Sequence, residues 1–151
     1  MNVSAKIHPL IIGIGNPLRG DDGLGWVVAE QLSRDCDIQT VYQLTPELAQ
    51  WMAAVNLVVM IDASHQGEPG ELHIRPLPLP LSAQPSAVGA HYTTPEELAA
   101  LTLAVYGRCP PVVIVSMTGA NFSIGEQLSS IVARRIPLIS VAVRQVCSNV
   151  L

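Results

Sequence analysis

The sequence is poor in charged residues and contains almost no lysine. Only 13% of its 151 residues are charged, Lys6 is its single lysine, and its net charge is −4 at pH 7. Binding to a nucleic-acid backbone depends on clustered positive charge, so no nucleic-acid partner is expected. No apolar run approaches the length of a membrane span, and the run before Gly15 lacks a signal-peptide cleavage site. We therefore expect a cytoplasmic protein with no membrane partner.

Cysteine is also scarce. Cys36, Cys109 and Cys147 lie far apart in the sequence and form no CxxC pair. This spacing argues against a disulfide framework and against a structural zinc site. We expect the three thiols to be small buried side chains in a reducing compartment.

Apolar residues, in contrast, are abundant and make up 49% of the chain. The length is that of a single domain, which we predict to cover residues 1–151. Continuous apolar runs such as Leu10–Ile14 and Leu57–Ile61 are typical of strands that are buried on both faces. The predicted order of elements is β-α-β-α-β-β-α-β-α. It indicates an α/β three-layer sandwich, with a mostly parallel, twisted sheet of about five strands and helices on both faces.

Local signals predict where several elements begin and end. A strand at Glu71–Arg75 follows the third strand too closely for a crossover helix, so we expect it to be antiparallel and at an edge. Thr45 is predicted to cap the second helix, and Thr94 the third, which Gly107 ends. The last helix is predicted to cover Gly125 to about Asn149, with Pro137 kinking it or dividing it in two.

Candidate functional residues follow the predicted strands, where ligands collect in open α/β sheets. Asp21 and Asp22 lie in a glycine-rich loop after the first strand, and Asp62 ends the third. One of the first two could simply cap the next helix, but two adjacent acids are more than capping needs. His91 stands close to a predicted helix start, which suits a neutral imidazole as a metal ligand. His65 follows Asp62 and remains a further candidate.

Nucleotide binding is the competing interpretation of the first loop. Gly13 and Gly15 follow a strand and precede a helix, as in a dinucleotide-binding turn. The third glycine is missing, because Leu18 stands in its place, and the second strand ends in Gln43 instead of an acid. The sequence also contains no HExxH, GxSxG or P-loop motif. These common hydrolase and nucleotide-binding classes are therefore disfavoured.

The segment Gly13–Gly25, GIGNPLRGDDGLG, closely resembles the opening motif of the nickel–iron hydrogenase maturation endopeptidases. Asp62-Ala63 at the end of an apolar strand, Pro69-Gly70-Glu71, the isolated His91 and the segment Gly125–Ser129 also resemble this family. The resemblance implies a phosphorylase/hydrolase-like fold. It implies an endopeptidase that removes the C-terminal extension of a nickel–iron hydrogenase large-subunit precursor after nickel insertion.

By this resemblance, Asp22, Asp62 and His91 form the catalytic and metal site. The implied cofactor is nickel, carried by the substrate instead of being bound permanently, and a monomer is favoured. Such an incomplete ligand shell leaves coordination positions open. Water could be activated by the metal or by an aspartate, and the sequence leaves both open.

The chain departs from the family pattern in three places: Gln43–Leu48, the residues after His91, and Gly119. Two other functions also remain open at this point. One is a small-molecule hydrolase or phosphorylase on the same scaffold, which would turn over substrate without a protein partner. The other is a non-enzymatic nickel-binding accessory protein, which would take up metal tightly and cleave nothing.

Overall fold

The computed structural model describes residues 8–78 and 93–149, which form one five-stranded sheet and four α-helices. The strands are β1 (Pro9–Ile14), β2 (Asp37–Val41), β3 (Leu57–Ser64), β4 (Leu72–Pro76) and β5 (Val112–Thr118). Their order in the sheet is β2-β1-β3-β5-β4. All pairs are parallel except β4, which runs antiparallel to β5 at the edge. The predicted fold class and the antiparallel edge strand are confirmed.

The helices cover both faces of the sheet. They are α1 (Leu24–Gln31), α2 (Leu48–Ala53), α3 (Pro95–Tyr106) and α4 (Ser130–Asn149). Side chains of α1 and α4 pack with Ile11 and Val59 in one apolar cluster. Side chains of α2 and α3 pack with Ile12 and Val58 in another. Alternate residues of β1 and β3 thus point to opposite layers, which explains why both strands are continuously apolar.

The predicted bounds of α3 are confirmed. The Thr94 hydroxyl oxygen accepts a hydrogen bond from the backbone N–H of Glu97 at 3.1 Å, and Pro95 is the first helical residue. The helix ends at Gly107, whose positive φ of 75° is left-handed. Both signals act within one turn of the chain, so they do not depend on distant contacts.

Other predicted bounds are wrong. α4 begins at Ser130 and not at Gly125, and it continues through Pro137. The backbone of Gly125 is engaged elsewhere: its N–H donates to the Leu18 carbonyl, and its carbonyl accepts from the N–H of Gly20, both at 2.8 Å. α2 begins only at Leu48, so Thr45 is not its cap.

The three cysteines are free, and each is half-buried, which is less burial than we expected for these side chains. All three lie near the sheet's helical layers, where burial raises the pKa of each thiol, that of Cys147 to about 11. In the described part of the chain, no helix combines the length and the apolar character needed to cross a membrane.

The strand order determines where a ligand would bind. β1 has β2 on one side and β3 on the other, with α1 and α2 on opposite faces of the sheet. In such sheets the crevice opens between the carboxyl ends of the two strands where the order reverses. Here these strands are β1 and β3. The predicted site residue Asp22 lies in the loop after β1, and Asp62 lies near the carboxyl end of β3.

Candidate active site

The loop after β1 folds tightly against itself and against α1. Gly15 has a φ of 138°, and a Cβ at this position would overlap the backbone carbonyl of Asp22. A Cβ at Gly25 would overlap the carbonyl of Ile61, so this glycine lets α1 start directly beside β3. The loop continues as a short 3-10 helix, Gly20–Gly23. The glycines therefore bring the loop's acids next to the end of β3.

Asp22 is half-buried at the edge of the crevice. Its Oδ2 accepts a hydrogen bond from the backbone N–H of Asn16 at 2.7 Å. The side chain of Asn16 in turn accepts from the N–H of Leu18 at 2.9 Å. The loop's own backbone therefore fixes the orientation of the Asp22 carboxylate.

Asp62 lies near the carboxyl end of β3 and lines the same crevice as Asp22. Its Oδ1 accepts a hydrogen bond from the N–H of Ala63 at 2.8 Å. Burial raises the pKa of Asp62 to about 6; the bond from Ala63 opposes this change and the negative charge of Asp22 adds to it. Because the charge of Asp22 makes ionisation of Asp62 more costly, this site is suited to a cation or to a proton.

The cavity that joins the two acids, called the acidic cleft below, has a volume of about 280 Å³. Its lining comes from the loops after β1 and β2, the end of β3 and the start of α3. The lining residues are Ile14, Gly15, Asp22, Tyr42, Gln43, Leu44, Asp62, Thr93 and Pro95. The structure thus places Asp22 and Asp62 in the same cleft.

His91, the third predicted ligand, lies outside the described residues. Thr93 and Pro95, which follow it in the sequence, line the acidic cleft. Within the described residues, no group of three or more His, Cys, Asp or Glu side chains is arranged to hold a metal ion. The role of His91 therefore stays a prediction.

Asp21 has a different role from its neighbour. It is 0% exposed, and its carboxylate accepts four hydrogen bonds: from the N–H groups of Ala120, Asn121 and Ser129, and from the Ser129 hydroxyl, at 2.7–3.0 Å. Burial opposes its ionisation, but the hydrogen bonds together outweigh burial and lower the pKa of Asp21 below its usual value. No side chain caps α1, so the capping interpretation of these acids is wrong.

Asp21 therefore joins the first loop to the segment after β5 and to the start of α4. Sequence reasoning missed this role, although both ends of the interaction lie in segments that resemble the family. The acid stands in the opening motif, and Ser129 ends the segment that begins at Gly125. Neither segment alone indicates that it contacts the other.

The other histidines in the described residues do not line the acidic cleft. His65 stacks on Phe122, with ring centroids 3.8 Å apart. His73 lies on the exposed edge strand, 3.8 Å from Glu71. His8 pairs with Asp37 at 2.6 Å, at the amino ends of β1 and β2. The candidate role of His65 is therefore not supported by its position.

No model of a known protein family matches the sequence, and a comparison with curated proteins finds no match. Solved structures do match. The nickel–iron hydrogenase maturation protease HycI from Thermococcus kodakarensis KOD1 has a TM-score of 0.72 and 27% identity, over 97% of this chain and 96% of that chain. The hydrogenase maturating endopeptidase HybD from Escherichia coli has a TM-score of 0.69 and 22% identity, over 91% and 90%. The maturation protease HybD from Thermococcus kodakarensis has a TM-score of 0.73 and 21% identity, over 93% and 99%.

The similarity to the two HybD structures shows the fold. The similarity to HycI has a higher sequence identity and extends over nearly the whole of both chains. Together with the acidic cleft, they define the class of this protein as an α/β protein with the fold of the maturation proteases. The resemblance to the nickel–iron hydrogenase maturation endopeptidases that its first-loop motif carries is confirmed, because the chain is similar to such a protease over nearly its whole length.

Proposed function

We propose that this protein is an endopeptidase that removes the C-terminal extension from the precursor of a nickel–iron hydrogenase large subunit once nickel has been inserted. The observation that supports this most directly is the convergence of Asp22 and Asp62 in one cleft, at the reversal point of a fold shared with maturation proteases.

The nickel ion belongs to the substrate in this proposal. Asp22 and Asp62 would each offer carboxylate oxygens, and His91 would offer an imidazole nitrogen, which are donors that bind nickel and other divalent ions. The repulsion between the two carboxylates supports this use, since a cation between them would relieve it. Three donors leave positions for the ligands that already hold nickel in the precursor, so recognition would also hold the scissile bond near the cleft.

Asp62 is also suited to move a proton. A general base works best when its pKa lies near the pH of the reaction, and burial raises the pKa of Asp62 in the metal-free protein to about 6. In the proposed hydrolysis, Asp62 accepts a proton from the water that attacks the peptide carbonyl. It then returns a proton to the leaving amine. Asp22, fixed by the backbone of Asn16, would serve as a ligand and would not shuttle protons.

We also propose that the protein works in the cytoplasm as a monomer. The support for a reducing compartment is that its three cysteines are free.

The test is processing of the nickel-loaded precursor by variants that keep side-chain shape: Asp22→Asn, Asp62→Asn and His91→Gln. Each removes a metal donor or the proton acceptor, so we expect the cleavage rate to fall by about 10²-fold or more. Matched controls are Asp35→Asn and His73→Gln, because both residues are exposed and lie outside the acidic cleft. Intact-mass spectrometry of the large subunit measures the product.

Normal processing by two of the three site variants would contradict the site. The same assay separates the other functions. A small-molecule hydrolase would leave the precursor intact, and so would a nickel-binding accessory protein, which would instead remove nickel from solution.

A further inference from the structure

Tyr42 is a large aromatic side chain that stands exposed at the acidic cleft. It follows β2 directly, its side chain is 63% exposed, and it lines the cleft with Asp22 and Asp62. Aromatic residues are enriched where partners bind, so an exposed aromatic ring beside the two carboxylates of the acidic cleft indicates a binding surface.

The exposed ring of Tyr42 packs against the ring of Trp26. Its centroid lies 5.4 Å from that of Trp26, with a tilt of 38° between the planes. The indole Nε1 of Trp26 donates a hydrogen bond to the carbonyl of Val41 at 3.0 Å, which fixes Trp26 against the end of β2. A ring that is already positioned loses little conformational entropy when a ligand covers its open face.

The size of the acidic cleft limits what it can hold. Its volume of about 280 Å³ lies at the lower end of the roughly 300–1,000 Å³ typical of sites that enclose a small molecule. Beside the two carboxylates, its wall includes the apolar side chains of Ile14, Leu44 and Pro95. A cleft of this size and lining suits one apolar side chain of a polypeptide that continues past it.

We propose that Tyr42 forms the outer wall of a subsite that binds an apolar side chain next to the scissile peptide bond. This inference rests on the proposed endopeptidase function and identifies part of its substrate specificity. The ring face supplies the contact, and the hydroxyl is dispensable. Substrate binding buries the ring and holds the peptide bond beside Asp22 and Asp62.

The test is steady-state processing of the nickel-loaded precursor by Tyr42→Ala and Tyr42→Phe. We expect Tyr42→Ala to raise KM about tenfold and to change kcat less, since truncation of a buried aromatic contact costs about that factor in binding. Tyr42→Phe should match the wild type. Tyr106→Ala is the matched control, because Tyr106 is also an exposed aromatic residue, at 46%, and it lies at the end of α3 away from the cleft lining.

A second measurement distinguishes contact from a structural effect. The precursor residues on each side of the scissile bond are replaced singly by glycine, and KM is measured with wild type and Tyr42→Ala. At one of the two positions, the KM penalty of Tyr42→Ala should largely disappear, because the contact has already been lost.

An unchanged KM in Tyr42→Ala, a loss confined to kcat, an equal penalty with every precursor, or an equal loss in Tyr106→Ala would each overturn the inference. A wild-type protein that cleaves no precursor would overturn the proposed function itself, which is a different result from normal cleavage by Tyr42→Ala.

Discussion

Asp62 and Asp22 occupy the same small cleft, and this arrangement changes how Asp62 responds to pH. Burial, with a further contribution from Asp22, raises its pKa from an ordinary value of 3.8 to about 6. The unfolded chain therefore releases this proton at a lower pH than the folded protein does. It follows that the free energy of unfolding decreases as pH rises from about 4 to about 6, and that the loss persists above pH 6.

We predict that Asp62→Asn increases the stability of the protein at neutral pH. An asparagine carries no charge, and its Oδ1 can still accept the hydrogen bond from Ala63. The expected gain in the free energy of unfolding is about 1–3 kcal/mol at pH 7.5, and it should vanish near pH 4. Urea unfolding of the metal-free protein, in buffer with a chelator, measures both values.

The control is Asp35→Asn, which removes an exposed carboxylate 3.5 Å from Arg144. Its effect should be small at both pH values, because exposed ion pairs contribute little. If Asp62→Asn is less stable than the wild type, by the same amount at pH 7.5 and at pH 4, then the account of Asp62 is wrong.

The two adjacent aspartates show how far residue roles can be predicted from the sequence. Asp22 and Asp62 line one cleft because they lie at the neighbouring carboxyl ends of β1 and β3, and their role as site residues stays a prediction. The sequence assigned Asp22 to the site by resemblance, but it did not predict the contacts of Asp21. The reason is that all four hydrogen bonds to Asp21 come from residues about 100 positions later in the chain.

Asp21 also connects whole elements of the fold. One buried carboxylate holds the loop after β1, the loop after β5 and the residue before α4 in fixed relative positions. The pKa of Asp21 is lower in the folded protein than in the unfolded chain. The stabilisation is therefore fully present at a pH above the unfolded-state pKa, and it is lost as pH falls through the folded-state pKa.

We predict that Asp21→Asn destabilises the protein. The amide NH₂ of asparagine would face N–H groups that need an acceptor, and the expected loss is about 2–4 kcal/mol at pH 7. The difference in the free energy of unfolding between Asp21→Asn and the wild type should become smaller in strong acid, where Asp21 itself becomes protonated. Urea unfolding at pH 7 and below pH 3.8 gives both numbers.

Asp22→Asn is the matched control, since it makes the same chemical change one residue later. Asp22 accepts a single backbone bond, which an asparagine Oδ1 can keep, so its stability should change little while processing is lost. Equal stability of the two variants would show that Asp21 does not join these elements.

The bounds of the elements were predictable only where the signals are local. Thr94 and Gly107 define α3 through contacts within one helical turn, and both were predicted correctly. The start of α4 was not predictable, because Gly125 pairs with Leu18 and Gly20 from the first loop. The N–H and carbonyl groups of Gly125 form hydrogen bonds with the first loop, so they are not available for the helical hydrogen bonds of α4.

On the scale of the whole molecule, two of the three departures from the family pattern contribute residues to the acidic cleft, whereas the third, Gly119, does not line it. Gln43 and Leu44, at the start of a segment that departs from that pattern, line the cleft, and Thr93 and Pro95 line its other side. The two acids come from the opening motif and from β3.

The measurement that tests this account most directly compares two preparations of one hydrogenase large-subunit precursor, with and without nickel, incubated with the purified protein. Intact-mass spectrometry follows loss of the C-terminal extension. Asp22, Asp62 and His91 are proposed to recognise the metal in the substrate, so we expect truncated product from the nickel-loaded precursor alone. Cleavage of both preparations at the same rate would contradict the account.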